Sequence, residues 1–339
     1  MLFSASIHPA LRVISLLLQA SAVLSYPKAT TYPLTVIEKF TVPRSFENIA
    51  TRHNGHLIVT SVVSSTLYQV SPIEEKPVTI ATIPEATSLL GIAELEPDVF
   101  YVVAANVSTI SATPGSNAVW KIDLRESCYP SKKTSSSCAK PSLVARIDSA
   151  QLLNGMCRLD PNNNSTLLIA DSAAGNVVKL NVDTGAYETI IDENKMKNTP
   201  TGLQVAINGI HVHESDLYFT NLNQGIFAKI PIALSNGTAT GPVEIIVNGT
   251  AGDDFIMSKD GKKAWVAMNG HHSLVEVDVP RKSARVVVDS TYLQSASAVS
   301  FGSTSLDRNS LYVSSAGPLN PTKAGNNTVV GGIIARVDL

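Results

Sequence analysis

The stretch DDFIMSKDGKKAWVAMNGHHSLVEVDV (253–279) decides the fold. It reads as three short strands, Phe255–Ser258, Ala264–Met268 and Ser273–Val279. A Lys-Asp-Gly turn separates the first pair and an Asn-Gly-His-His turn the second. Asp-Gly and Asn-Gly are strong hairpin signals because both residues tolerate positive φ. A sheet of three or four such strands cannot bury both its faces alone, so it requires copies of itself.

Those copies run along the chain. The middle strand recurs as HLIVTS (56–61), VFYVVA (99–104), TLLIAD (166–171), DLYFTN (216–221), KAWVAM (263–268) and SLYVSS (310–315). Each follows a polar turn and precedes a further strand, LYQV, VWKIDL, VVKLNV, IFAKIPI, LVEVDV or IIARVDL. Most copies stand about 40 to 50 residues apart, the period of a β-propeller blade. The expected fold is therefore all-β, a six-bladed β-propeller of four-stranded antiparallel blades around a central channel. Its innermost strands fall near 46–51, 89–94, 154–159, 206–213, 253–258 and 297–302. A pair of β-sandwiches is the alternative, but sandwiches do not repeat one strand–turn–strand grammar throughout.

Residues 1–25 have the form of a secretory signal peptide. Arg12 precedes the apolar run Val13–Leu18, and Val23 and Ser25 offer small residues for cleavage. Residues 26–339 then form a single propeller domain, and a secreted or secretory-lumen location follows. Sequons at Asn106, Asn163, Asn164, Asn236, Asn248 and Asn326 agree with that route and predict N-glycans. The chain is 44% hydrophobic and 16% charged with a net charge of −2, so it has ample core and no electrostatic attraction to nucleic acid or an anionic membrane. Cys128 and Cys138 bracket a Ser/Lys-rich loop and are expected to be bonded, closing an insertion between blades 2 and 3. Cys157, in NGMCRL, reads as a buried free thiol. Leu34–Phe40 is expected to close the ring by pairing beside Gly332–Asp338, which removes exposed sheet edges.

Residues just before each first strand and just after each second strand converge on one channel mouth. The first group is Glu47, Asn48, Asn154, Asn208, Asp253, Asp254 and Ser297; the second is Asn106, Asp171, Asn221, Asn269, His271 and His272. Polar groups converging on a concavity mark a ligand site. The same Asx residues also cap turns, and both readings stand for any single position.

FENIATRHNGHLIVT (46–60), LNGMCRLDP (153–161), INGIHVHESDLYFTN (207–221), GDDFIMSKDGKKAWVA (252–267) and SAVSFGSTSLDRNSLYVSS (297–315) together resemble the gluconolactonase and senescence-marker-protein group of six-bladed propellers. The resemblance implies a divalent metal, a hard cation such as Ca²⁺, held by Glu47, Asn208 and Asp253, with Asn154 as a further inner contact. In a lactonase the metal would polarise the ester carbonyl, with Asp254 or His271 as the base that activates water. That group carries Gly-Pro after the Glu and Gly after the Asp, where this chain has Asn48-Ile49 and Asp254-Phe255.

Those departures resemble a narrower branch of secreted fungal propellers that includes hetero-Diels–Alderases of tropolone-sesquiterpenoid (meroterpenoid) biosynthesis. The branch implies coupling of a tropolone o-quinone methide to a humulene-type alkene, small hydrophobic partners, and no required cofactor. Glu47, Asn48, Asn154, Asp254 and His271 are then the catalytic candidates. Asp171, Asn221, Asn269 and His272 are the candidates for substrate binding. A Ca²⁺-dependent lactonase and a non-catalytic small-molecule binder remain the alternatives, since one propeller architecture hosts many functions.

Overall fold

The computed structural model describes residues 31–41, 45–73, 76–108, 110–125, 139–317 and 330–339. The signal-peptide segment, the Cys128–Cys138 pair and the Asn326 sequon lie outside the described residues. Six four-stranded antiparallel sheets follow one another in chain order, with almost no helix beyond the short turns Asn194–Met196 and Thr291–Leu293. This is the six-bladed propeller that the repeats imply, and separate blades rule out the paired sandwich. The innermost strands are Phe46–Thr51, Ser88–Glu96, Leu153–Arg158, Ile207–His213, Gly252–Met257 and Ala296–Phe301, in blades 1 to 6.

The ring closes as expected. Blade 6 takes its outer strand, Leu34–Thr41, from the start of the chain, antiparallel to Val330–Asp338 with Leu34 opposite Val337. Tyr32, just ahead of that strand, donates its N–H to the Val287 carbonyl and its hydroxyl to Glu276 of blade 5. The described flanks correct one expectation. The 126–138 segment falls between the third and outer strands of blade 2, Ala118–Asp123 and Ser142–Arg146, and not between blades 2 and 3.

Strand alternation explains where the core sits. Successive side chains point to opposite faces, and each blade is covered on both faces by its neighbours. In blade 2, Phe100, Val102 and Ala104 pack toward blade 1, while Val99, Tyr101 and Val103 pack toward blade 3. In blade 3, Leu167 and Ile169 pack toward blade 2 and Leu168 and Ala170 toward blade 4. Strands buried on both faces read as continuous apolar runs, which is why VFYVVA and TLLIAD lack polar alternation. Among the described residues six apolar clusters result, one at each blade–blade junction. Cys157 is free and buried at the junction of blades 3 and 4, where desolvation pushes its thiol far above the ordinary range. It is an inert core residue.

Candidate functional site

Each innermost strand breaks register with its neighbour near its start: between Phe46 and Ile49, Leu89 and Ile92, Leu153 and Met156, Ile207 and Ile210, Gly252 and Phe255, and Ala296 and Ala298. A bulge re-aims a side chain. The six residues at these bulges, Glu47, Leu90, Asn154, Asn208, Asp253 and Ser297, all line one cavity at the channel mouth. All six lie inside the innermost strands, within the bounds expected for those strands. The cavity is open to solvent at the channel mouth. Residues that follow second strands, such as Val62, Leu222, Asn269 and Ala316, form its wall together with residues that precede first strands, such as Leu152 and Val205.

The ring residues are followed by glycine in blades 2, 3 and 4. A Cβ on Gly91 would come 2.2 Å from the Asn154 carbonyl oxygen, one on Gly155 2.3 Å from that of Asn208, and one on Gly209 2.2 Å from Asp254 Oδ1. The inner strands therefore approach each other there as no other residue permits. Blades 1 and 5 carry Asn48 and Asp254 at the equivalent place. Asn48 Nδ2 donates to Asp254 Oδ2 at 2.9 Å, joining two non-adjacent blades. Asp254 Oδ1 also accepts the Phe255 N–H at 2.7 Å and lies 3.4 Å from His211 Nε2. Neither Asn48 nor Asp254 lines the cavity; they brace the channel beneath the ring.

Asp253 is clamped at both oxygens. Asn208 Nδ2 donates to Oδ1 and Asn269 Nδ2 to Oδ2, each at 2.5 Å. Burial pushes its carboxyl up to about 7; the negative charge of Asp254 adds to this, and the two amide hydrogen bonds oppose it. Glu47 is held well above the usual carboxylate range, first by burial and then by the charges of Asp253 and Asp254. Glu47 Oε2 and Asn154 Oδ1 are buried without a hydrogen-bond partner.

Two hydroxyls missing from the sequence reading hold this ring. Thr60 Oγ1 accepts the Asn48 N–H at 2.9 Å and donates to the Leu90 carbonyl at 2.7 Å. Thr220 Oγ1 accepts the Gly209 N–H at 3.0 Å and donates to the Asp253 carbonyl at 2.6 Å. Each ties its own blade's bulge to the next blade's ring residue. The signal was present: a threonine in the penultimate place of each of the middle strands LIVTS and DLYFTN.

Four candidates stand elsewhere. Asp171 accepts backbone N–H groups of Gln151, Leu152, Ala173 and Ala174, so its carboxylate is spent on the turn. Asn221 donates to the carbonyls of Lys195 and Lys197 and accepts the Gln224 N–H. Neither lines the cavity. His271 and His272, on the turn after Met268, also lie outside the lining, and burial followed by the neighbouring His272 lowers the His271 pKa. Asn106 precedes the short ladder of Val107–Ser108 with Ser111–Ala112 at the cavity rim.

Among the described residues no three His, Cys, Asp or Glu side chains gather to hold a metal ion. The floor offers two carboxylates, Glu47 and Asp253, with the carboxamides Asn154 and Asn208. Oxygen-only donors of this kind, two of them with unpartnered oxygens, fit a hard cation such as Ca²⁺.

Over most of its length the chain superimposes on the crystal structure of a luciferin-regenerating enzyme, with a TM-score of 0.64 at 15% identity, covering 91% of this chain and 95% of that one. It also superimposes on regucalcin, a calcium-binding protein from Agrobacterium tumefaciens, with a TM-score of 0.61 at 13% identity, covering 92% and 95%. The fold is theirs. In sequence the chain is similar to the "Putative hetero-Diels-Alderase asR5" of Sarocladium schorii, 28% identical over 220 residues, 57% of this chain and 52% of that protein. The chain thus spans about half the length of the curated relative it matches. No family model matches it. Two of these three relatives are named as enzymes.

Proposed function

We propose that the protein is a biosynthetic enzyme of secondary metabolism that joins two small apolar metabolites by intermolecular hetero-Diels–Alder cycloaddition. The substrates in this reading are a tropolone-derived o-quinone methide and a humulene-type sesquiterpene. The o-quinone methide forms from a hydroxymethyl tropolone by loss of water. In the cycloaddition itself one new carbon–carbon and one new carbon–oxygen bond close a dihydropyran ring, and no atom is lost. The observation that carries the reading is the cavity itself: an apolar wall over a polar ring, with no His, Lys, Arg, Cys or Tyr among its described lining residues. Its described lining offers no thiol, amine or imidazole nucleophile and no cationic clamp. It can hold two partners in reacting geometry, and orientation alone supplies roughly 7–11 kcal/mol in favourable cases. The similarity to the Sarocladium protein supports the same reaction class. A secreted, N-glycosylated form is part of the proposal, with Asn163, Asn164, Asn236 and Asn248 exposed as attachment sites.

The donor set favours a second reading. Glu47, Asn154, Asn208 and Asp253 would hold Ca²⁺, which would supply Lewis-acid polarisation of a lactone carbonyl. The two readings separate in one experiment. Purified protein is given either a hydroxymethyl tropolone with humulenol, or a panel of aldono- and aryl-lactones, in chelator and in Ca²⁺. Dihydropyran formed above the buffer rate in chelator supports cycloaddition. Calcium-dependent lactone opening beside coupling at the buffer rate assigns the site to hydrolysis.

A further inference from the structure

We infer that Asn48 and Asp254 are a positioning pair: their hydrogen bond across the channel sets the spacing of Glu47 and Asp253, and through it the stereochemical outcome of the reaction. The inference rests on the proposed function for its kinetic readout and on geometry alone for its structural one.

The residues directly after the six ring positions are Asn48, Gly91, Gly155, Gly209, Asp254 and Ala298. Four of these have no side chain that can cross the channel. The two that do stand behind the two acids of the ring. Each half of the pair is aimed by its own strand. Asn48 Oδ1 accepts the Ile49 N–H at 2.9 Å, which turns Nδ2 toward blade 5. Asp254 Oδ1 accepts the Phe255 N–H at 2.7 Å, which leaves Oδ2 to receive that amide. A Cβ on Gly209 would stand 2.2 Å from Asp254 Oδ1, so glycine in blade 4 leaves the room this carboxylate occupies.

Blade 6 separates blades 1 and 5, and its Ala298 is too short to link them. The Asn48–Asp254 bond therefore ties the two acids directly, one residue behind each. Both partners are buried and neither lines the cavity, so the bond constrains position without touching a substrate. Its carboxylate acceptor makes it one of the stronger kinds of hydrogen bond. Catalysis by orientation is sensitive to such spacing, since a misplacement of about 1 Å can cost on the order of 100-fold in rate. As the catalysed rate falls toward the buffer rate, the product loses its enantiomeric excess.

The likeness of the two halves supplies the test. Asp254→Asn sets two amide donors against each other across the channel. Adding Asn48→Asp restores one amide facing one carboxylate with the roles exchanged. His211, 3.4 Å from Asp254 in wild type, loses its carboxylate in both variants, so a rescue by the exchange reports the clasp alone. Full-length wild type, Asp254→Asn and the double exchange are given a hydroxymethyl tropolone with humulenol in chelator, and each is crystallised. Asp254→Asn should lower the rate by at least about tenfold and cut the enantiomeric excess, with Glu47 and Asp253 displaced. The exchange should return all three toward wild type. A merely structural role would lower the melting temperature and leave the excess given by folded protein unchanged. Wild-type rate and excess in folded Asp254→Asn overturn the inference, as does an exchange no better than the single variant. If Asp254→Asn fails to fold, Asn48→Ser, whose side chain is too short to cross, should show the same losses, and wild-type behaviour there overturns the inference equally. A racemic product from wild type overturns the cycloaddition reading instead. The crystal structures then decide this inference, which falls if the two acids keep their spacing without the clasp.

Discussion

Glu47 and Asp253 place two acids in one buried ring, and their protons make the site sensitive to pH. An unfolded aspartate releases its proton near 4, whereas buried Asp253 keeps its own to about 7. Glu47 is raised as well. Between those values the folded chain binds more protons than the unfolded one. The stability linked to these groups is therefore complete below about pH 4 and lost as pH rises through about 7. Glu47→Gln removes one of the repelling charges. In chelator it should stabilise the protein at about pH 8, by on the order of 1 kcal/mol or more, and leave it unchanged at about pH 4. Thermal melts at the two pH values check this; a variant that melts at or below wild type at the higher pH contradicts it. If Ca²⁺ occupies the floor, added Ca²⁺ should raise the melting temperature of wild type more than that of Glu47→Gln, since a ligand stabilises the state that binds it. These acids were legible in the sequence because each stands beside an Asn or Asp at a strand start. Asp171 and Asn221 are polar residues at strand ends, but strand ends also need side chains to cap them, and sequence does not separate the two uses.

At the scale of the strand, the bulge does the positioning. Thr220→Val keeps the shape but leaves the Gly209 N–H and the Asp253 carbonyl without their partner. It should cost about 1–3 kcal/mol in denaturant melts and weaken substrate binding through the displaced ring. Unchanged stability would show that Thr220 does not hold the ring. Gly155→Ala forces a methyl to 2.3 Å from the Asn208 carbonyl oxygen. Overpacking of this kind costs about 1–3 kcal/mol, here at the floor of the site. The Asn-Gly pairs at 154–155 and 208–209 advertised this close approach. The register breaks themselves were not legible: an extra residue in a strand looks like any other residue until its partner strand is known.

The whole molecule is held by six junctions rather than one core, and the sixth exists only because the chain's start returns to its end. Phe40 packs edge-on against Phe46 at 4.5 Å between ring centroids, linking the closing strand to blade 1. Deleting residues 34–41 should expose the Val330–Asp338 edge and abolish soluble, cooperatively unfolding protein, as read by gel filtration and calorimetry; a soluble two-state product contradicts closure by this strand. The blade repeat made this architecture legible, since strands buried on two faces can repeat only by stacking in a ring. Cavity chemistry was less so, because Val62, Leu203 and Leu222 come from connections whose convergence depends on the closed ring. On the proposed function, this cavity catalyses by holding two partners together. The most direct measurement is the enantiomeric excess of the dihydropyran formed in chelator by wild type and by Leu222→Trp, whose larger side chain fills the cavity. Wild type should give strong enrichment, and a folded Leu222→Trp a racemic product at the buffer rate. A racemic product from wild type, or undiminished enrichment from the filled cavity, would contradict it.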